Sequence, residues 1–264
     1  MSSVQPTGEP AHVVITGASS GIGAALARLY SVRGRRLSLI ARDRDRLEAV
    51  AADGRARGAQ IDTYRADVTD AAAMEQAILA CDTRQPVALV IANAGIGGAA
   101  AMAPPSGEPG PVARRIISTN LVGVINTVAP LLPRFIERQS GHIAIMSSLA
   151  GLVALPDCPA YSASKAALCV YGASLRRLAA SSGVYVSVIC PGFVDTPMSA
   201  TLPVRPFMWT ADRAARHVAR ALARRRREIV FPWPLALAVR TLNLLPTAAA
   251  DRIFALMRKH GGAV

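Results

Sequence analysis

Cysteine and histidine are scarce and scattered in this chain of 264 residues. The four cysteines, at positions 81, 158, 169 and 190, form no CxxC pair, and the four histidines are equally dispersed. Metal sites usually draw on clustered cysteine and histidine ligands, so this spacing predicts no metal site. We expect each cysteine to be a small, buried core residue.

The amino-terminal segment lacks the positive start and apolar core that mark a secretory signal. It is polar and contains Pro6, Gly8 and Pro10, which predicts a disordered tail over residues 1–10. Because no export signal is recognisable, we expect the protein to be cytoplasmic.

Charged residues make up only 18% of the chain, against 52% apolar residues, which allows a large buried core. Acidic residues are the minority among the charges, and the formal net charge is +13. Four consecutive arginines at positions 224–227 could attract nucleic-acid phosphates. The run is short, however, has no interleaved aromatic residues and leads straight into a strand-like segment. We prefer a solvated helix end and predict no nucleic-acid partner.

Short apolar runs alternate with longer helical patterns through most of the chain. Runs such as Val13–Ile15 and Leu89–Ile91 are apolar without alternation, which is typical of strands covered by helices on both faces. The order predicts a single doubly wound, Rossmann-type α/β domain with a parallel sheet over residues 11–231. The predicted strands are His12–Thr16, Arg36–Ala41, Gln60–Ala66, Val87–Ala92, His142–Ser147, Val184–Cys190 and Glu228–Phe231. The predicted helices are Gly21–Arg33, Arg44–Arg57, Ala71–Cys81, Val112–Glu137, Ala160–Ser182 and Thr210–Arg224.

A glycine-rich turn follows the first predicted strand and opens the first helix. Its spacing is Gly-x3-Gly-x-Gly, and glycines allow the backbone to turn tightly and approach a pyrophosphate at the helix N-terminus. An ordinary turn would also use glycines, but the position after the first strand favours a dinucleotide site. The residues that we expect to contact the cofactor here are Gly17, Ser19, Ser20, Gly21, Ile22 and Gly23.

The end of the second predicted strand bears on the choice of cofactor. Folds that bind NAD often place a carboxylate there for the ribose hydroxyls. This strand instead ends in Ala41 and Arg42, with Asp43 further on. A guanidinium matches the geometry of a 2′-phosphate, so we favour NADP over NAD, although Arg42 could merely open a helix rich in charged residues.

Tyr161 and Lys165 are four residues apart, which places them on one face of a predicted helix. A phenol is a poor acid or base at neutral pH, and a nearby ammonium lowers its pKa. Ser148 follows the preceding strand and could stabilise charge on a substrate oxygen. Each residue also has a plain structural interpretation, a surface pair for the first two and the end of a strand for the serine.

These motifs together resemble those of the short-chain dehydrogenase/reductase family. Their order and spacing agree with the family from about residue 11 to 200. The matching residues are Thr16, the glycine turn, Asp67-Val68, Asn93-Ala94-Gly95, Asn120, Ser148, Tyr161, Lys165, Pro191-Gly192 and Thr196. The resemblance implies a seven-stranded sheet and hydride transfer between a nicotinamide and a carbonyl or alcohol.

The resemblance also implies individual roles. Tyr161 would donate or accept the proton, Lys165 would lower its pKa and bind the nicotinamide ribose, and Ser148 would orient the reacting oxygen. Asn120 would hold a water in a proton relay. Asp67 and Val68 would meet the adenine, and the remaining cofactor contacts would come from Asn93, Gly95, Pro191, Gly192, Val194 and Thr196, the last on the carboxamide side.

One position departs from the family pattern, since Ala92 stands where an asparagine is frequent. We expect a packing variation there without catalytic loss. The family further implies a homo-oligomer, a dimer or tetramer packed through two long helices. Gly172 and Ala173 on the second of these would allow close approach.

The loops expected to build the substrate pocket are largely apolar, which suggests a hydrophobic substrate. They are Gly95–Pro111, Ala150–Pro159 and Met198–Trp209. The alternative function is a catalytically silent relative, a cofactor-binding protein or a scaffold at a membrane surface, because a fold does not fix a function.

Residues 232–264 form an extension that is apolar and basic. The stretch Leu235–Val239 and the later residues Phe254 and Leu256 stand beside Arg240 and Arg252, a mixture that suits an interfacial helix on anionic lipid. It suits equally a helix packed on another subunit or one covering the substrate pocket. We favour packing on the same domain or on a neighbouring subunit, with only peripheral membrane contact.

Overall fold

Seven strands form one parallel sheet in the computed structural model, within the part of the chain that the model describes. Their order across the sheet is β3-β2-β1-β4-β5-β6-β9. The strands are β1 His12–Thr16, β2 Arg36–Ala41, β3 Gln60–Arg65, β4 Leu89–Ala92, β5 Gly141–Met146, β6 Val184–Pro191 and β9 Glu228–Phe231. The predicted fold class, a doubly wound Rossmann-type sheet, is thereby confirmed.

The structure describes residues 10–97, 102–104, 107–202 and 204–259, the side chains of 257–259 excepted. The disordered tail predicted for residues 1–10 therefore lies outside the described residues, apart from Pro10. Part of the predicted pocket loop Gly95–Pro111 and the last residues of the extension also lie outside them.

Helices cover both faces of the sheet. They are α1 Gly21–Tyr30, α2 Arg44–Ala56, α3 Ala71–Arg84, α4 Gly110–Ile117, α5 Gly123–Val128, α6 Leu132–Glu137, α7 Pro159–Leu178, α8 Ala211–Ala223, α9 Trp233–Leu242 and α10 Thr247–Lys259. Asp43, Asp70 and Thr210 cap three of them, each accepting a hydrogen bond from the backbone N–H three residues on.

The core consists of two apolar layers, one on each face of the sheet. Val13 and Ile15 of β1 belong to the layer under α1, α2 and α8, whereas Val14 belongs to the layer under α3 and α5. All three residues are fully buried. This two-sided burial explains why the strands are apolar without alternation, and it leaves the ends of the strands as the place for polar chemistry.

The helix predicted for Val112–Glu137 is present as a helical segment over Gly110–Glu137, but it is not a regular α-helix throughout. The segment is divided into α4, a π-helical turn at Ser118–Val122, α5 and α6. Pro130 falls between α5 and α6, where its missing N–H and its ring disturb the regular α-helical hydrogen bonds. By length and composition the segment could cross a bilayer. Its apolar residues Val124, Val128 and Phe135 are buried in the core, however, and this burial accounts for the apolar composition.

Gly172 does not lie where the sequence suggested. A Cβ added to it would lie 2.4 Å from Cγ2 of Val188 in β6, so this glycine faces the sheet and not a neighbouring subunit. The outward face of α7 instead carries Val170 and Leu178, both about two-thirds exposed.

Candidate active site

A cleft of about 970 Å³ opens along the carboxyl ends of the central strands. Ligands of doubly wound sheets bind at this edge. Of the predicted site residues, those that line the cleft are Gly17, Ser19, Ser20, Gly21, Ile22, Arg42, Val68, Asn93, Gly95, Ser148, Tyr161, Lys165, Pro191, Gly192, Val194 and Thr196. Gly23, Asp67 and Asn120 do not line it.

The glycine turn between β1 and α1 depends on the absence of side chains. Gly17 and Gly21 have φ values of +66° and +53°, which side chains of L residues rarely tolerate. A Cβ on Gly23 would lie 2.3 Å from the carbonyl oxygen of Gly17. The turn is therefore packed closely against the first turn of α1, whose free N–H groups face the cleft.

Asn93, at the end of β4, holds this turn in place. Its Nδ2 donates to the carbonyl oxygens of Thr16 at 3.0 Å and Gly17 at 3.3 Å. The Thr16 hydroxyl in return accepts from the backbone N–H groups of Asn93 and Ala94. Ala92, the position that departs from the family pattern, is buried at the end of β4.

Two arginines line the cleft beyond β2. Arg42 Nη1 lies 3.4 Å from Asp67 Oδ2, and Asp67 also accepts from the backbone and the hydroxyl of Thr69. Arg46, which the sequence analysis did not single out, lies one helical turn further on. Hydrogen bonds from the backbone and guanidinium of Arg46 lower the pKa of Asp43, whose carboxylate is thus engaged within its own helix.

The first turns of α7 bring Tyr161 and Lys165 to the same wall of the cleft. Lys165 is 4% exposed, and its Nζ donates to the carbonyl oxygen of Met146 at 2.9 Å. That Nζ lies 5.8 Å from the centre of the Tyr161 ring. Ser148 follows β5, and its hydroxyl accepts from the N–H of Ala150 and lies within hydrogen-bonding reach of Tyr161.

Burial controls the protonation of both groups. It raises the pKa of Tyr161 to about 12, against the opposing effect of the hydrogen bond with Ser148. It lowers the pKa of Lys165 to about 8. Lys165 is not among the groups that shift the pKa of Tyr161 in this arrangement, and the predicted lowering of that pKa by the lysine stays a prediction.

Asn120 lies in the π-helical turn and is fully buried. Its side chain accepts from the N–H of Ile96 at 2.8 Å and donates to the carbonyl of Ile96 at 3.0 Å and the hydroxyl of Ser164 at 3.2 Å. Its oxygen would lie 3.1 Å from a Cβ on Gly95, and Lys165 Nζ would lie 3.5 Å from the same point. Asn120 thus joins the cleft wall to α7, and its predicted proton relay stays a prediction.

The end of β6 closes the cleft from the opposite side. The N–H of Gly192 donates to the carbonyl of Phe231 at 2.7 Å, and Thr196 faces the glycine turn, with its Cγ2 3.1 Å from a Cβ built on Gly21. Two short strands, β7 Val194–Asp195 and β8 Trp209–Thr210, pair in parallel and return the intervening loop beside the cleft. The sequence analysis missed this pair because each strand has only two residues.

The part of the cleft beyond Tyr161 is apolar, and some of it comes from the carboxyl-terminal extension. Leu235 and Val239 of α9 line the cleft, and Asn243 Nδ2 donates to the carbonyl of Leu152. Neither α9 residue was among the predicted site residues, although their spacing of four places them on one helix face. They share the cleft with Val153, Leu155, Met198, Leu202 and Val204.

Comparison with known proteins identifies the family. A model of the short chain dehydrogenase family matches residues 11–205. The chain is 37% identical over 241 residues to an uncharacterized oxidoreductase of Myxococcus xanthus, a match that covers 90% of this chain and 94% of the relative. The chain therefore belongs to the short-chain dehydrogenase/reductase family of oxidoreductases, as the resemblance predicted.

Two solved structures show the same fold. A short-chain dehydrogenase from Sphingobium yanoikuyae in complex with NADPH is 29% identical, with a TM-score of 0.75 over 92% of this chain and 95% of that one. A short-chain dehydrogenase/reductase from Burkholderia phymatum in complex with NAD is 26% identical, with a TM-score of 0.80 over 89% of this chain and 94% of that one.

Proposed function

We propose that this protein uses NADP(H) to reduce a carbonyl group, or to oxidise a secondary alcohol, on a hydrophobic substrate. The observation that carries the proposal is the arrangement of Ser148, Tyr161 and Lys165 on one wall of a cleft that has a glycine turn at one end and apolar side chains at the other.

The residues at the glycine turn fit a dinucleotide. Close packing at Gly17 and Gly23 leaves room for a pyrophosphate against the N-terminus of α1, where backbone N–H groups and the helix dipole favour negative charge. A bound nicotinamide would supply the hydride in reduction and accept it in oxidation. The structural neighbours bind NADPH in one case and NAD in the other, so the fold alone does not select between them.

The preference for NADP rests on charge at the end of β2. Arg42 and Arg46 line the cleft there, and Arg guanidinium groups bind phosphates through paired hydrogen bonds. The nearby carboxylates already have partners, since Asp43 is bonded to Arg46 and Asp67 to Thr69 and Arg42. A 2′-phosphate would therefore meet two cations, whereas the ribose hydroxyls of NAD would find no free carboxylate among these four residues.

The side chains of the catalytic wall would supply the proton and stabilise the charges that develop in the reaction. In reduction, Tyr161 Oη would give its proton to the carbonyl oxygen and be left as a phenolate, while a bound nicotinamide would supply the hydride to the carbonyl carbon. Ser148 Oγ donates a hydrogen bond to the same oxygen and stabilises the charge that develops on it. Lys165, held by Met146, keeps a positive charge near the phenolate that remains on Tyr161.

We also infer a homo-oligomer in which α7 lies at a subunit contact. Val170 and Leu178 are 68% and 66% exposed on its outward face, and large apolar residues this accessible mark contact surfaces. The test is the molecular mass in solution, and a Val170→Asp variant that keeps the mass of the wild type would contradict this contact.

The experiment for the activity follows the absorbance of NADPH and NADH with a panel of aldehydes, ketones and alcohols. We expect turnover with apolar carbonyl compounds, higher with NADPH than with NADH, and weak turnover with charged ones. A complete lack of turnover with bound NADPH would favour a catalytically silent relative instead.

A further inference from the structure

The two carboxyl-terminal helices, α9 and α10, expose several large apolar side chains to solvent. We call the set on α9, α10 and the turn between them the tail surface. Its most accessible members, Leu244 and Trp233, are 83% and 75% exposed. The others are Leu237, Leu245, Ile253 and Leu256. An exposed apolar patch of this kind marks a site of contact with a partner or a membrane.

Helix α9 belongs both to the tail surface and to the wall of the cleft. Helix α9 places Leu235 and Val239 in the cleft and Leu237 in solvent. Val204 also lines the cleft and is 42% exposed, and the nearby Phe207 is 58% exposed. Two segments that line the cleft therefore also carry exposed apolar side chains.

The charges around the tail surface have mainly one sign. Arg240 and Arg252 are exposed among the apolar residues, and the sequence continues with Arg258 and Lys259, against the single acid Asp251. The chain as a whole carries +13. A negatively charged partner surface would complement this distribution.

The lengths of α9 and α10 suit a helix that lies in the membrane interface and not one that spans the bilayer. Helices α9 and α10 contain 10 and 13 residues, too few to cross a bilayer, which takes about 20 apolar residues. Apolar side chains beside cations suit a helix that lies in the membrane interface, and tryptophan is enriched at that depth. Trp233 stands at the start of α9, where it could anchor such a helix.

We propose that the tail surface docks on an anionic lipid bilayer, so that α9 and the cleft that it lines lie at the membrane surface. An apolar substrate dissolved in the lipid is then delivered close to the apolar part of the cleft. A second copy of the chain is the weaker occupant, because two such surfaces would bring Arg240 and Arg252 near arginines of the same sign. The delivery of substrate rests on the proposed function, whereas the docking does not.

The test is sedimentation of the full chain with vesicles of phosphatidylcholine, alone or with added phosphatidylglycerol. We expect the protein to bind the anionic vesicles, with an affinity that falls as salt is added, and to bind the neutral vesicles only weakly. Leu244→Asp should weaken vesicle binding by about tenfold or more. The substitution removes one leucine that would be buried in the lipid contact, and it adds a negative charge. Its activity on a water-soluble carbonyl compound should stay unchanged.

The matched control is Val32→Asp, which also puts a negative charge on an exposed aliphatic position. Val32 follows the carboxyl end of α1, at the opposite edge of the sheet from the cleft, so this variant should bind vesicles like the wild type. Emission of Trp233 should shift to the blue on anionic vesicles in a Trp209→Phe variant, in which it is the remaining tryptophan.

Three results would overturn the proposal. They are equal binding to neutral and anionic vesicles, equal loss of binding in Leu244→Asp and Val32→Asp, and a Leu244→Asp variant that binds vesicles normally but changes its oligomeric mass. Vesicle binding by a protein that reduces no carbonyl compound would leave the docking intact and reject the proposed function alone.

Discussion

Replacement of Arg42 by alanine should narrow the difference in affinity between NADPH and NADH. The guanidinium lines the cleft beyond β2 and would donate to the 2′-phosphate, a group that NADH lacks. Hydrogen bonds to charged groups contribute about 1.5–3 kcal/mol. Because this side chain is 65% exposed and 3.4 Å from Asp67, solvent and that carboxylate reduce the gain.

We therefore expect a loss of about 1.4 kcal/mol for NADPH, which is about tenfold in its dissociation constant. The affinity for NADH should stay nearly the same. Fluorescence titration of both cofactors measures the two constants, and the difference should shrink as salt concentration rises. Arg44→Ala is the matched control, since Arg44 is an exposed arginine two residues further on, at the start of α2, that does not line the cleft.

The assignment has a clear refutation. Equal affinities for NADPH and NADH in the unmodified protein would reject a phosphate site at Arg42. So would an Arg42→Ala variant that loses affinity for both cofactors equally, because the arginine would then support the cleft and not the phosphate. An Arg44→Ala variant with the same selective loss would show a general effect of charge.

Three further predictions concern the turn, the core and the pocket. Gly23→Ala should abolish cofactor binding, measured by titration, because its Cβ would lie 2.3 Å from the Gly17 oxygen; normal binding would show that the turn can relax. Burial acts to raise the pKa of Asp82, but bonds from the Val87 N–H and Arg138 outweigh it, so the pKa is lowered. The stability that this carboxylate contributes is therefore present above its ordinary pKa and lost as pH falls through the lowered one. Asp82→Asn should lower the free energy of unfolding by about 2 kcal/mol near pH 7, and by less in acid, as measured by denaturant unfolding. An equal cost at both pH values would contradict this. Leu235→Trp should raise KM for long apolar substrates more than for short ones, and an equal effect on both would remove α9 from the pocket.

The features that local sequence patterns predicted well are those that depend on neighbours in the chain. Uninterrupted apolar runs such as Val13–Ile15 predicted buried strands, and the glycine spacing after β1 predicted the turn at the edge of the sheet. The Tyr161–Lys165 spacing placed both residues on the same wall because four residues make about one helical turn.

Features that depend on contacts between distant segments were harder to predict. The π-helical turn around Asn120 interrupts a pattern that looked uniformly helical, and no local signal marks it apart from the later Pro130. Arg46 lines the cleft from the first turn of α2, a position that depends on how this helix packs on the sheet. The burial of Gly172 against Val188 depends on how α7 packs on β6.

Sequence patterns alone did not show that the carboxyl-terminal extension, residues 232–264, contributes to the pocket. Its apolar and basic residues fitted a subunit contact, a pocket cover and a lipid interface equally well. Once Leu235 and Val239 are placed in the cleft, the same helix presents Leu237 to solvent. One helix thus covers the pocket with one face and leaves the other for a partner.

The central claim is that Tyr161 carries the proton in a nicotinamide-dependent reaction, and Tyr161→Phe tests it most directly. The substitution keeps the ring and removes the hydroxyl, so NADPH affinity should be nearly unchanged. Turnover of the best carbonyl substrate should fall by about 10²–10⁴-fold, the contribution typical of a general acid. A variant that binds NADPH and turns over at close to the wild-type rate would contradict the mechanism.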